Sequence, residues 1–433
     1  MASIIKAPRG MFDILPEEMP LWHALEKAAR DACARYGYAE IRTPFIEETR
    51  LFVRGIGDTT DIVEKEMYTF EGKGRDESTS LRPEGTAGVV RAYIEHGYYK
   101  TAPQQKLYYI GPMFRYERPQ AGRQRQFNQI GVEVLGTNAP EADVETIALA
   151  LDIFKDVGLR DVRLKVNSIG CRKCRPAYRE AIKEFIGGRV DKLCGDCKRR
   201  YDRNIFRVLD CKQETCRALI ADIPEIEGRL CPDCGEHFEA VKRLLEALGL
   251  AFVKDKFLVR GFDYYTRTVY EMAHSALGAR DAVGGGGRYD NLVDQLGGPP
   301  TGAVGFSIGM EATLIALKNS VAGGSVAGGF VAAPGSDCFV ITVDSTAKPA
   351  ALACLQSLRI AGVSAQMDFE GKSVKAQMRA ANRAKARVVV ILGPDELAAG
   401  KAKVKDMTDG AESAPLLAEI AGAVKAVLAK GKV

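Results

Sequence analysis

Apolar positions near the start of the chain follow two rhythms. Over residues 17–36, Leu21, Trp22, Leu25, Ala28, Ala29, Ala32, Cys33 and Tyr36 share helical spacing, which puts them on one face of an α-helix. Gly37 follows as a C-terminal stop. The stretch 39–44 then reads as extended. Pro44, which has no amide hydrogen to donate, confines it to a sheet edge or strand end. Residues 106–116 and 127–136 are rich in aromatic and β-branched residues and flank a polar loop at 117–126. That pattern predicts an antiparallel hairpin. Residues 142–157 return to helical spacing, 162–166 reads as a strand and 236–248 as a helix, and strands are predicted around 257–259 and 268–271. A tight glycine run at 284–287 precedes Arg288 and Tyr289, and residues 304–318 begin extended and turn helical.

Beyond residue 320 the pattern changes. Residues 320–336 are small and flexible in composition, as linkers are. Strand patterns at 338–343, 363–367 and 387–392 then alternate with helical patterns at 347–360 and 372–386, and a final helix covers about 414–429. Such alternation implies a parallel sheet. The expected architecture is therefore an α+β domain with a mostly antiparallel sheet over 1–325. It carries a Cys-rich, helical insertion at about 170–250. A linker at 320–336 leads to a small α/β domain with a mainly parallel sheet at 337–433.

Composition narrows the choice. The chain has 433 residues, 46% apolar and 27% charged, a balance that supports a full core and excludes a mainly disordered chain. No apolar run approaches the roughly 18 residues of a membrane span, and residues 1–10 lack a signal-peptide core. A cytoplasmic protein with no membrane partner is the expectation. The net charge of +5 permits an anionic partner without demanding one. There are four histidines, His23, His96, His237 and His274, and none has zincin spacing. A Ser-His-Asp enzyme is disfavoured on the same count. Neither a P-loop nor a dinucleotide-binding glycine motif is present.

Of the eleven cysteines, eight lie between 171 and 234: Cys171-Cys174, Cys194-Cys197 and Cys231-Cys234 as C-x-x-C pairs, with Cys211 and Cys216 between them. Two thiolates at that spacing chelate one tetrahedral Zn²⁺ and two pairs fill its shell, so a structural zinc is expected. The alternative is a set of reduced packing thiols.

Chemistry-bearing residues also sit in the strand segments of the first domain. Arg115 closes one strand, Gln129 and Glu133 share a face of the next, Glu84 lies in LRPEGT, and Arg260, Asp263, Tyr264 and Tyr265 lie in LVRGFDYYTRTVYE. Charges on the inner face of a sheet are costly unless paired or used. Carboxylates hold an ammonium and arginines grip a phosphate, so the set suggests a zwitterionic ligand plus phosphates.

These segments resemble the class II aminoacyl-tRNA synthetases, and among them the histidine–tRNA ligase (histidyl-tRNA synthetase) family. The helix and strand ending at Pro44 resemble motif 1, which builds the family's dimer interface. FRYERPQAGRQRQFNQIGVEVLG at 114–136 resembles motif 2, and AVGFSIGME at 303–311 resembles motif 3. LVRGFDYYTRTVYE and VGGGGRYDNL resemble stretches peculiar to the histidine enzymes. The resemblance implies that L-histidine is joined to tRNA(His) through a histidyl-adenylate, with ATP as substrate, Mg²⁺ on its outer phosphates, and a homodimer. Arg115 and Arg260 would be catalytic and flank the ATP α-phosphate, Arg260 taking the place of a metal used by other class II enzymes. Glu117 and Arg123 would complete the ATP site. Glu84 and Thr86 would bind the α-amino end of histidine, Gln129 would contact the amino acid, and Glu133, Tyr264 and Tyr265 would read the imidazole. Motif 3 departs from the family at Ala312, where an arginine usually meets the γ-phosphate; Lys318, about 600° further around the helix, would point elsewhere.

The resemblance also implies that the C-terminal domain binds the anticodon. Residues 336–433 carry 14 Lys and Arg against 10 Asp and Glu, and Lys372, Lys375, Arg379 and Arg383 form one basic helix face. Arg118, Gln120, Arg123 and Arg125 of the hairpin loop would meet the acceptor end. Two other readings stand beside this one: a catalytically inactive synthetase-like regulatory subunit that binds histidine or a partner protein, and a non-enzymatic zinc-ribbon nucleic-acid-binding protein.

Overall fold

The computed structural model describes residues 4–58, 60–72, 78–120, 122–278, 281–320 and 335–430. The chain forms two compact units, 1–330 and 331–433. Most of the expected linker, 321–334, lies outside the described residues.

The first unit contains the strands β1 (Ala39–Glu40), β2 (Ile46–Glu48), β3 (Thr69–Phe70), β4 (Thr79–Leu81), β5 (Gln105–Phe114), β6 (Gln126–Leu135), β7 (Arg163–Ser168), β8 (Phe252–Lys254), β9 (Thr266–Ala273), β10 (Ala282–Arg288) and β11 (Ala303–Gly309). Eight of them form one sheet in the order β1-β5-β6-β11-β10-β9-β7-β8, and β2-β4-β3 form a small second sheet. Only the edge pairs β1–β5 and β7–β8 run parallel in the large sheet; the five pairs between them are antiparallel. The hairpin β5–β6 is regular over ten pairs, from Gln105 opposite Leu135 to Phe114 opposite Gln126.

Alternation along β6 divides the molecule. Ile130, Val132 and Val134 pack with the helices Met19–Arg35, Pro140–Asp156, Pro232–Ala247 and Met310–Ser320 into the main core. Each such buried side chain contributes roughly 1.5–3 kcal/mol. Gln129, Gly131 and Glu133 face the other way, because successive strand residues point to opposite faces. On that second face Val89, Val90 and Tyr93 of the helix Thr86–Glu95 cover Leu107, Tyr109 and Met113 of β5.

One sequence expectation changes here, and one unassigned segment gains its place. Residues 257–259 are not a strand: the Asp255 side chain accepts from the Phe257 amide and the Asp255 carbonyl from the Leu258 amide, forming a turn. The strand in this region is β8, parallel to β7. The glycine run forms the body of β10. A Cβ on Gly286 would stand 2.1 Å from the Gly305 carbonyl oxygen, so close strand packing requires glycine there.

The insertion contains the helices Arg175–Ile186, Gly195–Arg203 and Glu214–Leu219 and no strand among its described residues before β8. It has its own small core, which includes Tyr178, Ile182, Ile186, Ile205 and Val208.

The second unit holds β12 (Cys338–Thr342), β13 (Ala365–Met367), β14 (Val388–Leu392), β15 (Lys403–Asp406) and β16 (Glu412–Ser413), in the order β13-β12-β14-β15-β16. The expectation of a mainly parallel sheet is corrected to a mixed one. β12 pairs in parallel with β13 and β14, whereas β14–β15 and β15–β16 are antiparallel. The connection after β14 contains only the five-residue helix Pro394–Ala398, short of the dozen or more residues of a parallel crossover. A tight turn then joins β15 to β16.

Candidate active site

Strand register builds the floor of the site. One row of positions crosses six strands on the second face: Tyr109, Gly131, Ser307, Gly285, Glu271 and Lys165. The adjoining row holds Leu107, Glu133, Gly305 and Gly287. Glycine at the centre of both rows leaves room that larger neighbours fill. A Cβ on Gly131 would meet the Tyr109 ring at 2.0 Å, one on Gly305 the Glu133 carboxylate at 2.0 Å, and one on Gly285 the Arg260 guanidinium at 2.7 Å.

Glu133 is 1% exposed. Its carboxyl accepts from the Thr86 hydroxyl at 2.7 Å, the Tyr289 hydroxyl at 2.5 Å and the Tyr109 hydroxyl at 3.4 Å. Burial pushes it up to about 8; hydrogen bonds from Tyr289 and Thr86 oppose the shift, and the nearby Glu84 charge adds to it. Glu84 precedes the helix Thr86–Glu95, and its two oxygens accept from the Thr86 and Ala87 amides at 2.7 and 2.8 Å. A carboxylate is favoured at a helix N-terminus, while burial pulls Glu84 upward. Burial also raises the phenols of Tyr109, Tyr264, Tyr265 and Tyr289, so each remains a protonated donor.

Glu84, Thr86, Gln129, Tyr264 and Tyr265 line one small cavity together with Tyr109, Tyr289 and Ser307, with room for about one water molecule. Glu133 adjoins it through Thr86 and Tyr289. Tyr264 and Tyr265 pack against each other with ring centroids 4.7 Å apart, and Tyr264 stacks on Phe262 at 5.1 Å.

Among the described residues, two polar atoms at this site are buried without a hydrogen-bond partner, the Gln129 Oε1 acceptor and the Arg260 Nε donor. Leaving such a group unsatisfied costs about 1–3 kcal/mol. The Gln129 amide nitrogen donates to the Ser307 hydroxyl at 3.4 Å, and Arg260 pairs with Glu271 at 3.2 Å. Arg115 donates through Nε to the Pro83 carbonyl at 2.8 Å, and its guanidinium lies over the rings of Phe127 and Phe262, 5.1 and 5.6 Å from their centroids. Phe262 thus links the two arginines: it follows Arg260 by two residues and lies under Arg115.

Glu117 and Arg123 stand apart from the cavity in the β5–β6 loop, paired with each other at 3.1 Å. Beside that loop, Glu311 accepts from the Asn128 amide at 2.8 Å and from its side chain at 3.0 Å, fastening the helix Met310–Ser320 to β6. Ala312 lies 3.9 Å from the place a Cβ on Gly122 would occupy, so position 312 faces the loop. Lys318 turns away and pairs with Glu18 at 2.8 Å.

The eight insertion cysteines separate into two groups, Cys171, Cys174, Cys231 and Cys234, and Cys194, Cys197, Cys211 and Cys216. Residues that sequence reasoning missed include Tyr109, Tyr289, Ser307 and Glu271. Alternation supplied a signal for the first: Tyr109 has the opposite parity to the core residue Tyr108.

The eight-stranded sheet, the helix-backed site and the hairpin loop define a class II aminoacyl-tRNA synthetase fold. The apo histidyl-tRNA synthetase of S. aureus is similar in structure, with TM-score 0.78 and 35% identity over 98% of this chain and all of that one. The histidyl-tRNA synthetase family model matches residues 10–173 and 200–313, and an anticodon binding domain model matches 337–427. The histidine–tRNA ligase of Desulforamulus reducens is 47% identical over 419 residues, covering 97% of this chain and 98% of its own. That of Moorella thermoacetica is 48% identical over 414 residues, 95% and 96% of the two chains. The chain belongs to the histidyl-tRNA synthetase family. An ATP phosphoribosyltransferase regulatory subunit/histidyl-tRNA synthetase from Bacillus halodurans C, 21% identical with TM-score 0.63, shares the fold alone.

Proposed function

We infer that the chain activates L-histidine with ATP and transfers it to tRNA(His). The observation that carries this reading is the buried Glu133 carboxyl, ringed by Thr86, Tyr109 and Tyr289 beside the unpartnered Gln129 oxygen.

An imidazole has a nitrogen that donates or accepts, and with Glu133 raised toward neutrality the two share one proton across a hydrogen bond. Tyr264 and Tyr265 close the ring's surroundings. An apolar amino acid would leave these groups unpaired in a dry pocket, which gives strong rejection. Glu84 keeps lone pairs beyond its two amide contacts, and these with Gln129 Oε1 and the Thr86 hydroxyl receive the α-ammonium. The histidine carboxylate then attacks the α-phosphorus in line; the bond to pyrophosphate breaks and histidyl-adenylate forms. Arg115 and Arg260 neutralise charge on that phosphate, so catalysis is chiefly positioning and electrostatics. Glu117 and Arg123 part from each other to meet the adenine and outer phosphates. ATP enters as its magnesium complex, so the ion is part of the substrate. In the second step the terminal ribose hydroxyl of the tRNA attacks the adenylate carbonyl and AMP leaves.

Arg118, Gln120 and Arg123 are exposed on the hairpin loop, where the acceptor end would arrive. A second basic surface lines a cavity beside Arg260, with Arg175, Arg179, Arg203, Arg207 and Lys256. In the second unit Lys372, Lys375, Arg379 and Arg383 are all exposed, as phosphate contacts require. Such contacts weaken steeply with salt. The homodimer reading draws on Phe45, Ile46 and Phe70, large apolar residues left exposed on and beside the small sheet, where a partner would bury them. The domain boundaries proposed are 1–325 and 337–433. Among the described residues no helix is long and apolar enough to cross a membrane, and a cytoplasmic site of action accords with the tRNA substrate.

Histidine-dependent exchange between pyrophosphate and ATP tests the reading. Exchange that requires histidine and is lost in Arg115→Ala supports it. Histidine binding without exchange favours the regulatory-subunit alternative, and neither favours a nucleic-acid-binding protein.

A further inference from the structure

We propose that the insertion holds two zinc ions, each in its own four-cysteine site, one closing the ends of the insertion and one pinning its interior. The first site is Cys171, Cys174, Cys231 and Cys234; the second is Cys194, Cys197, Cys211 and Cys216. Within each group all four sulfurs lie within 4.8 Å of one another.

The spacing selects the kind of ion. Four sulfurs at the Zn–S distance of about 2.3 Å occupy the corners of a tetrahedron with edges of about 3.8 Å. The sulfur pairs Cys171–Cys174, Cys171–Cys231 and Cys194–Cys211 stand 3.7, 3.9 and 3.9 Å apart. Disulfides, at about 2.05 Å, are excluded by these separations, and all eight thiols are free. An iron–sulfur cluster binds its cysteines through different irons and spreads them beyond one small tetrahedron. In both groups a backbone amide points at a sulfur: Cys231 N–H donates to Cys174 Sγ at 3.1 Å and Cys194 N–H to Cys216 Sγ at 3.2 Å. Soft thiolates in tetrahedral array are zinc ligands.

The placement of the two sites explains why ions are needed. Cys171 and Cys174 lie where the chain leaves β7, and Cys231 and Cys234 open the helix Pro232–Ala247 that returns to the main core. The first ion therefore ties the point of departure to the point of return. Gly170 fits only as glycine, since a Cβ there would stand 2.7 Å from the Cys174 Cβ at φ +62°. The second ion joins the start of the helix Gly195–Arg203 to Cys211 and to Cys216 in the helix Glu214–Leu219. Between them lies a core too small to be secure alone, and units of this size are commonly stapled by a metal. The family model breaks between 173 and 200, so Cys174, Cys194 and Cys197 fall outside the shared pattern.

The first site also adjoins the catalytic face. Arg267 N–H donates to the Gly170 carbonyl at 2.9 Å, Ile169 N–H to the Arg267 carbonyl at 2.8 Å, and the Arg175 side chain to the Tyr265 carbonyl. The loop that carries the first two cysteines is thus bonded directly to the segment that carries the tyrosine pair.

Metal analysis of the full chain, purified reduced and without chelator, tests the proposal. Two zinc ions per chain are expected, each released by modification of four thiols. The pair Cys174→Ser with Cys234→Ser lowers the content from two to one, and so does the pair Cys197→Ser with Cys216→Ser. Cobalt titration of the full-length chain, reduced and first stripped of zinc with acid and chelator, serves if a variant does not fold. It should saturate at two equivalents with strong tetrahedral bands and sulfur-to-cobalt charge transfer. A metal-free chain with eight freely titrating thiols, saturation at one ion, or bound iron overturns it.

Discussion

Replacing Glu133 by glutamine keeps its shape and removes its ability to ionise. Burial has raised this carboxyl from an ordinary 4.5 to about 8. An acid whose folded value is raised contributes stability that is complete below the unfolded value. That stability is lost as pH rises toward the folded value, because the unfolded chain ionises first. Between pH 5 and 7.5 the loss is about 3 kcal/mol, from about 1.36 kcal/mol per pH unit. In Glu133→Gln the loss disappears, so the variant should gain about that much relative to the parent between these two pH values. Urea unfolding of both proteins at pH 5 and 7.5 reads it directly. The same variant loses a charge-assisted hydrogen bond to the imidazole, worth about 1.5–3 kcal/mol. That predicts a roughly 10- to 150-fold fall in kcat/KM for histidine in the exchange assay, with KM for ATP little changed. A stability difference that stays level across the pH range refutes the buried, raised carboxyl. A histidine kcat/KM within twofold of the parent refutes its role in recognition.

Three further outcomes are expected. Arg260→Gln should lower kcat of adenylate formation by roughly 100-fold or more, with a smaller change in KM for histidine, since the phosphate charge it meets develops in the transition state; stopped-flow or exchange kinetics measure this. Ala312→Arg should lower KM for ATP roughly tenfold by restoring a charge-assisted contact at a position facing the hairpin loop, and an unchanged KM would show the contact to be dispensable. Asp143→Asn should destabilise the first unit by about 3–5 kcal/mol in urea. It removes the wholly buried one of two carboxylates paired with Arg288, which is itself wholly buried and reaches Asp143 at 3.0 Å, and leaves Arg288 its bonds to Asp290 and the Thr137 and Ala139 carbonyls.

The hairpin at 106–136 was legible because ten-residue strands of alternating pattern flank a polar loop, and alternation alone put Gln129 and Glu133 on one face. The helix 19–35 was equally plain from its spacing. The glycine run carries no strand signal in the sequence because glycine is a poor strand former. Its reason for being in a strand lies across space, in Arg260 over Gly285 and in the Gly305 carbonyl under Gly286. β15 went unread since Lys403–Asp406 has two lysines among four residues and gains its place by pairing with β14. Tyr289 was invisible as a site residue because its role arises where three strands and a helix meet at Glu133. The division of eight cysteines into two groups of four likewise depends on the fold, which sets Cys231-Cys234 beside Cys171-Cys174 across the whole insertion.

A crystal structure of the chain with histidine, ATP and magnesium tests the central claim most directly. The account predicts the imidazole hydrogen-bonded to Glu133, the α-amino group on Glu84 and Gln129, and Arg115 and Arg260 both within 3.5 Å of one α-phosphate. Histidine bound elsewhere, or a phosphate that only one of the two arginines reaches, would contradict it.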